Sequence, residues 1–384
     1  MRRENFSATS PGELLSISGD ILAFLPTPLP PDLPVSWPLL RQAEATRGAI
    51  SELAGQARLI ENVELVIRAL ARREAVLSSR MEGTHTEIAE VLAHESVSPS
   101  APNLDPDLDE VLNYLATITL AEQWIGDERD LGVPFIRDLH ARLLQGVRGE
   151  EKSPGVFRLR NVYIGRKDDG FAGARFVPPP GEHVAMLMDN LVSTMVDPAP
   201  FGPLINAAIS HYQFETIHPF EDGNGRIGRL LIPLQLMRLG VLDRPLLYLA
   251  AAFEKNDRRY RDGLLAVSET GAWLPWIEFF LEMIEAAALD ARTRVTNLMT
   301  LLADYRERVR NASTSRYALP AVDVVFRRVF VSAALVTREA GGTAPTAKKV
   351  IDDLVRVGIL EPSARISGTQ TWLAREVLDR VYRD

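Results

Sequence analysis

Apolar residues return every three or four positions along most of the chain, the spacing of helices that bury one face. Over 60–82 the set Val63, Val66, Ile67, Leu70 and Leu77 predicts a helix, with Gly83 where a C-terminal cap belongs. Similar patterns predict helices over 37–55, 86–96, 107–126, 133–147, 181–196, 203–217, 225–239 and 253–268, and a long one over 272–310. The pattern breaks in three places. Residues 1–36 hold Pro26, Pro28, Pro30, Pro31 and Pro34 and read as an extended arm, docked through Leu22, Phe24, Leu25, Leu29 and Leu33. Ser96–Pro106 reads as a turn-rich loop. Between 156 and 178, Val162-Tyr163-Ile164 and Ala174-Arg175-Phe176-Val177 are short β-type runs around Asp168-Asp169-Gly170 and Gly173. They predict a hairpin that Pro178-Pro179-Pro180 ends.

The last stretch has its own order. From 318 it reads helix, short helix, a Gly341-Gly342-Thr343 turn, a helix over 344–357, an extended pair near 359–373 and a final helix. That order predicts a winged helix-turn-helix. The expected organisation is an arm and helical region over 1–105, a helical domain over 106–290, a helical linker over 291–317 and the small domain over 318–384. No repeat of 20 to 50 residues is visible.

Composition narrows the class. A chain of 384 residues with 46% hydrophobic and 24% charged residues has ample material for a core and needs no disulfide staple. There is no cysteine, which removes thiolate metal sites and cysteine nucleophiles and fits a reducing cytoplasm. No apolar run approaches the roughly 20 residues of a membrane span, so no membrane contact is expected. Met1-Arg2-Arg3-Glu4 is not followed by an apolar core of the signal-peptide kind. Net charge is −8. Residues 310–384 carry 12 Lys+Arg against 8 Asp+Glu, a net of +4, which leaves −12 on the rest.

Chemistry concentrates in His218-Pro219-Phe220-Glu221-Asp222-Gly223-Asn224-Gly225-Arg226-Ile227-Gly228-Arg229. Ile205, Ala208, Ile209 and Tyr212 mark an apolar helix face before it, and Leu230, Leu231, Leu234 and Met237 mark one after it. Pro219 disfavours helix at His218, so the first helix ends there. Asp-Gly and Asn-Gly are also hairpin dipeptides, but the flanks here are helical, not alternating. Gly223 and Gly225 around Asn224 permit backbone angles that let successive N–H groups converge as an anion nest at a helix N-terminus. Arg226 and Arg229 in the first helical turn oppose the helix dipole unless an anion lies before them. Asp222 beside such a nest suits magnesium, and His218 can serve as general base.

Ser78-Ser79-Arg80-Met81-Glu82-Gly83 is the second constellation. Ser78 and Glu82 share a helix face. A glutamate at a helix C-terminus is unfavourable and calls for a cation; from the residues alone it is either solvated or paired locally with Arg80.

The 218–229 stretch resembles the Fic family signature, His-x-Phe-x-(Asp/Glu)-Gly-Asn-Gly-Arg-x-x-Arg, at every defined position. The likeness extends over roughly 20–290, since the proline-rich arm also resembles the start of many bacterial Fic proteins. The resemblance implies a mostly α fold: a Fic helical bundle with a small β-hairpin flap, followed here by the winged helix-turn-helix. It implies a protein adenylyltransferase that moves AMP from ATP to a hydroxyl side chain of a target protein, or of itself. His218 would deprotonate that hydroxyl and Asp222 would hold Mg2+. Gly223, Asn224, Gly225, Arg226, Ile227, Gly228 and Arg229 would bind the nucleotide phosphates. Tyr260 and Arg261 stand where many relatives carry two tyrosines at the base pocket. The 78–83 stretch resembles the family's inhibitory helix, (Ser/Thr)-x-x-x-Glu-(Gly/Asn), so Glu82 would pair with Arg229, with Ser78 in the same motif. The 162–177 hairpin resembles the flap that holds a target segment. A homodimer also follows from the resemblance.

Other readings stay open at this level. The chain could be a DNA-binding regulator that keeps the Fic domain as a nucleotide sensor. It could use UTP, GTP or a phosphocholine carrier, or remove AMP. Thr343, Thr346, Lys348 and Lys349 would serve DNA, Asp352 and Asp353 on the same helix weaken that, and protein docking is the alternative use of a winged helix.

Overall fold

The computed structural model describes residues 1–96, 105–127, 129–166, 168 and 170–383. In chain order it opens with strands β1 (Gly12–Ser18) and β2 (Ile21–Pro26). Helices α1 (Trp37–Ala57), α2 (Glu64–Arg80), α3 (Ile88–Ser96), α4 (Pro106–Gly126) and α5 (Val133–Leu143) follow. A one-turn α6 (Gly170–Gly173) precedes α7 (Gly181–Val196), α8 (Pro203–Ile217) and α9 (Asn224–Arg238). Then come α10 (Ala250–Lys255), α11 (Asp257–Thr270) and the long α12 (Trp273–Ala312). The chain ends with α13 (Ala318–Arg328), β3 (Phe330–Val331), α14 (Ala333–Ala340), α15 (Ala344–Arg356), β4 (Glu361–Pro362), β5 (Trp372–Leu373) and α16 (Arg375–Val377). Among the described residues no helix is long and apolar enough to cross a membrane.

Two compact units emerge. The first holds Met1–Ala54, Leu77–Gly83 and Asn113–Leu289; the second holds Gly55–Val76, Thr84–Leu112 and Asp290–Asp384. In the first, α8 and α9 form the centre and are buried almost all round. Pro203 starts α8 at a position that needs no donor, and Trp276 Nε1 donates to the Ala208 carbonyl at 2.9 Å to lock α12 against it. Helices expected over 181–196 and 203–217 occupy those residues.

Three expectations change. The arm over 1–36 contains an antiparallel hairpin, with Leu14 opposite Phe24 and Glu13 opposite Leu25, turned at Gly19-Asp20. Its burial is as expected at Phe24, Leu29 and Leu33, while Leu22 and Leu25 are half-buried. The hairpin expected over 162–177 is reduced to one antiparallel bridge, Ile164 to Phe176, with α6 between the arms; residues 167 and 169 lie outside the described set. Phe176 and Val177 instead turn to the N-terminal hairpin, where the Phe24 amide donates to the Val177 carbonyl at 2.9 Å. The helix expected over 253–268 is broken at Asn256 into α10 and α11. Most of the loop expected over 96–106 lies outside the described residues.

In the second unit, buried Arg72 donates to both Glu95 oxygens, at 3.2 and 2.6 Å, and to the Tyr382 hydroxyl at 3.0 Å. Three short antiparallel strands lie in the order β3-β5-β4. Ser332 and Thr343 cap α14 and α15 through their side-chain oxygens. Helix α15 buries Ala347, Val350, Ile351 and Leu354 and leaves Lys348 and Lys349 exposed.

Candidate active site

Helix α8 stops where Pro219 requires, and His218 takes the left-handed conformation, φ 49° and ψ 62°. Such angles are costly for a non-glycine residue and persist only where neighbours over-determine them. Arg158 does so here. Its Nε donates to the His218 carbonyl at 2.7 Å, and its Nη2 to the carbonyls of Ile217 at 3.0 Å and Pro179 at 2.7 Å. Its own amide donates to Pro219 at 2.9 Å. Burial pulls the guanidinium down to about 10, partly offset by Glu221. The His218 ring is held at about 4, chiefly by burial and then by the charge of Arg158. It is therefore neutral at physiological pH.

The loop after His218 is clamped by its own polar groups. Asn224 Oδ1 accepts from the Phe220 amide at 2.9 Å and its Nδ2 donates to the Phe220 carbonyl at 2.9 Å. His140 stacks on Phe220 with centroids 3.7 Å apart. Gly155 N–H donates to His140 Nδ1 at 2.8 Å, which makes Nε2 the donor to the Asp222 carbonyl at 3.0 Å. Gly223 carries the left-handed N-cap of α9, φ 73°. Gly225 does not: the expectation of an unusual backbone there is corrected. It lies in the first turn of α9, and a Cβ on it would collide with the Glu82 carboxylate. The need for glycine at 225 is one of space, not of φ.

Arg229 is buried and committed. Its Nε donates to Ser78 Oγ at 2.8 Å, and its Nη2 to the Ser78 carbonyl at 2.9 Å and to Glu82 Oε1 at 2.7 Å. Burial alone would push the Glu82 carboxyl up, but Arg229 overrides it and holds it below the usual carboxylate range. The local alternative, a pair with Arg80, gives way to a distant one: Arg80 instead lies 3.6 Å from Glu254.

A cavity of about 530 Å³ opens beside this pair. His218, Gly225, Arg229 and Glu82 line it together with Tyr260, Arg261, Leu264, Leu265 and Ser268, with Ile164 and Phe176 contributing from the bridge. The Tyr260 hydroxyl is already engaged with His211 Nε2 at 3.0 Å. Arg261 Nε donates to Asp257 at 2.7 Å. Other residues of the motif stand behind the wall. Ile227 is core, and Gly228 has no room for a Cβ because the Glu215 carboxylate and the Phe214 ring fill the space. Arg226 is buried, 3.8 Å from Asp222, and its carbonyl accepts from the Tyr114 hydroxyl at 3.0 Å.

Asp222 is the carboxylate available to a cation. Lys152 Nζ stands 3.0 Å from Oδ2, and the Gly223 amide donates to Oδ1 at 2.7 Å. Burial would raise this carboxyl; Lys152 and the amide hold it low. Among the described residues there is no cluster of three or more metal-ligating side chains. The fit of Asp222 to magnesium rests on its partly exposed carboxylate, since that ion takes one or two carboxylates with phosphate oxygens and water. The ammonium of Lys152 shows that this position favours positive charge.

Sequence reading passed over Arg158, His140, Lys152 and Glu215. The first three act across 60 to 82 residues of chain and leave no local pattern. Glu215 did leave one, since it lies three residues before His218, one helical turn away on the same face.

Comparison with known proteins agrees with this geometry. Residues 130–236 match the Fic/DOC family and residues 39–123 its N-terminal region. A protein adenylyltransferase Fic of Aedes aegypti is 32% identical over 201 residues, 51% of this chain and 37% of that protein. The Drosophila melanogaster protein of the same name is 31% identical over 158 residues, 41% of this chain and 28% of that protein. The chain thus spans about a third of the length of these curated relatives. Among solved structures, a Fic family protein of Desulfovibrio desulfuricans superposes over 90% of this chain and 98% of its own, with TM-score 0.56 and 20% identity. A Fic domain containing signaling protein of Bacteroides thetaiotaomicron superposes over 65% and 97%, with TM-score 0.52 and 22% identity. Fold, matched segments and the histidine loop together place the chain in the Fic-domain family, homologous to Fic adenylyltransferases.

Proposed function

We propose that the chain is a protein adenylyltransferase, transferring AMP from ATP to a Ser, Thr or Tyr hydroxyl of a target protein or of itself, and that Glu82 holds it in check. The observation that carries this reading is the 2.7 Å pair of Arg229 with Glu82 in the cavity that also holds His218. In the proposed step neutral His218 takes the proton of the target hydroxyl. The freed oxygen attacks the α-phosphorus, a phosphorus–oxygen bond forms, and the bond to the β-phosphate breaks so that pyrophosphate leaves. Arg229, released from Glu82, would meet the terminal phosphates. The N–H groups at the start of α9 would face the chain of phosphates. Catalysis then comes from position and charge. Asp222 would hold Mg2+, which when bound supplies charge neutralisation on the phosphate oxygens; Lys152 must give up its contact.

The domain scheme belongs to the same proposal: an arm and inhibitory region over 1–105, a Fic catalytic domain over 106–290, a helical linker over 291–317 and a winged helix-turn-helix over 318–384. The order α13, β3, α14, α15, β4, β5 supports the last of these. Exposed Lys348 and Lys349 on α15 favour a second reading, in which this module contacts DNA. DNA binding that weakens steeply with salt and is lost on deletion of 318–384 would support it. Salt-insensitive or absent binding would leave a protein-docking role.

The test of the main reading is transfer from ATP labelled separately at the α- and γ-phosphate, with Glu82→Gly and Glu82→Gly/His218→Ala. The proposal expects protein-bound α-label in the first and none in the second. Bound γ-label would mean kinase chemistry. Label retained without His218 would sink the mechanism.

A further inference from the structure

We propose that Phe24 is a positioning residue for the cavity: the N-terminal segment is a strap that fixes the wall carried by Ile164 and Phe176 relative to α11, and this placement sets how tightly the cavity holds its nucleotide. The last clause rests on the nucleotide-transfer reading above; the strap stands without it. All the residues concerned belong to the first compact unit. One attachment is at the end of α11. A helix leaves its last four carbonyls without intrahelical partners. In α11 the Gly271 amide takes that of Val267 at 2.8 Å, and residues 7–10 take the other three. Ser10 Oγ donates to the Ser268 carbonyl at 2.7 Å, the Ser7 amide to Glu269 at 2.8 Å and Thr9 Oγ1 to Thr270 at 2.8 Å. The fit is close, since a Cβ on Gly271 would collide with the Thr9 carbonyl. The same helix gives the cavity Tyr260, Arg261, Leu264, Leu265 and Ser268.

The other attachment is at the opposite wall. Ile164 and Phe176 exchange both backbone hydrogen bonds, at 2.8 and 3.1 Å, and both line the cavity. Phe24 holds this pair from behind. Its amide donates to the Val177 carbonyl at 2.9 Å, and its fully buried ring meets Phe176 with centroids 5.8 Å apart and Phe6 at 5.6 Å. Ala23 packs with Ala174 and Val177 in the same apolar cluster. The two attachments converge on Phe24. Gly12, two residues after Ser10, has no room for a Cβ because the Phe24 ring and the Leu25 carbonyl fill the space, and strand pairing sets Gly12 opposite Pro26. The walls also meet directly, through the ion pair of Arg175 with Asp262 at 2.5 Å. That pair is about half exposed on both sides, and exposed pairs contribute little. The buried aromatic contact is the stronger tie.

The experiment is amide hydrogen exchange of the full chain without nucleotide, followed by equilibrium titration with ATP, for wild type, Phe24→Ala, Phe24→Leu and the double variant Thr9→Ala/Ser10→Ala, each checked by thermal melting. In Phe24→Ala the amides of Ile164 and Phe176 should exchange about tenfold faster, with those of α8 and α9 unchanged, and ATP should bind about tenfold more weakly. Phe24→Leu, which keeps apolar bulk behind Phe176, should recover most of both. The double variant removes only two hydroxyls, at the α11 attachment, and tests the strap even where Phe24→Ala does not fold. It should speed exchange at Ile164 and Phe176 in the same direction, by about twofold or more. Unchanged exchange there in the double variant, or acceleration spread evenly over α8 and α9, would overturn the strap. Faster exchange at the bridge with ATP affinity unmoved would overturn its link to the ligand. No ATP binding by wild type or by Glu82→Gly would overturn the nucleotide reading, while the exchange rates still decide the strap.

Discussion

In the cavity wall Arg229 is held by the three hydrogen bonds it donates to Ser78 Oγ, the Ser78 carbonyl and Glu82, and in the histidine loop Asp222 is covered by Lys152. Tyr260, Leu264 and Leu265 line the same cavity, and Glu215 Oε1 lies against Gly228 without a hydrogen-bond partner. The charged side chains are thus neutralised by the chain itself, whereas the apolar lining needs no counter-charge. The contrast teaches where control lies. On the proposed reading, the terminal phosphates of a nucleotide would meet an arginine already engaged by Glu82. Inhibition would then act on the placement of the phosphates.

The largest expected effect is loss of the general base. His218→Ala in a Glu82→Gly background should cut label transfer by about 10²–10⁴-fold and leave ATP affinity near that of the parent, read by rate and by titration. Next comes the brace beneath it. Arg158→Met removes the bonds that hold His218 in its left-handed conformation, so the account expects kcat to fall about tenfold or more, with KM for ATP little moved. A parallel rise in KM would place Arg158 in nucleotide binding instead. Lys152→Met should tighten apparent Mg2+ affinity about two- to fivefold, measured by calorimetry with a non-hydrolysable ATP analogue, because a half-exposed ion pair is worth roughly 0.2–1 kcal/mol. Weaker magnesium binding would show that the lysine supports the metal.

The smallest effect is in stability against pH. His140, His211 and His218 are held at about 4, 3 and 4, in each case first by burial. Their unfolded value is near 6.5, so the stability that depends on their neutral forms is complete above pH 6.5 and is lost as pH falls towards 4. Glu215 runs the other way. Its folded value is raised to about 7, so its contribution is present below its unfolded value and is lost as pH rises through 7. Thermal melts should show Glu215→Gln gaining on wild type at pH 8 and not at pH 5. An equal difference at both pH values would contradict the burial of that carboxyl.

How much of this the sequence carried depends on the distance over which each contact acts. Helix ends were legible where a proline marks them, as at Pro180, Pro203 and Pro219. The histidine loop was legible because twelve consecutive residues hold its chemistry. The N-terminal hairpin was hidden by the prolines that follow it, although Gly19-Asp20 between two apolar runs was a turn signal. The 162–177 hairpin failed for the opposite reason. Its β-type residues pair with each other at one bridge only, and Val177 bonds to Phe24 instead. Arg158 and Lys152 could not be read at all. Each is an ordinary basic residue whose role is set by a partner 60 or 70 positions away.

The account stands most directly on the Arg229–Glu82 pair. The measurement is the initial rate of α-label transfer from ATP at saturating magnesium, for wild type, Glu82→Gly and Glu82→Gln. Freeing Arg229 from one charged hydrogen bond predicts a rate about 10- to 100-fold above wild type for the glycine variant. The glutamine variant should be intermediate, since it keeps a neutral acceptor. Equal rates in all three proteins would contradict the account.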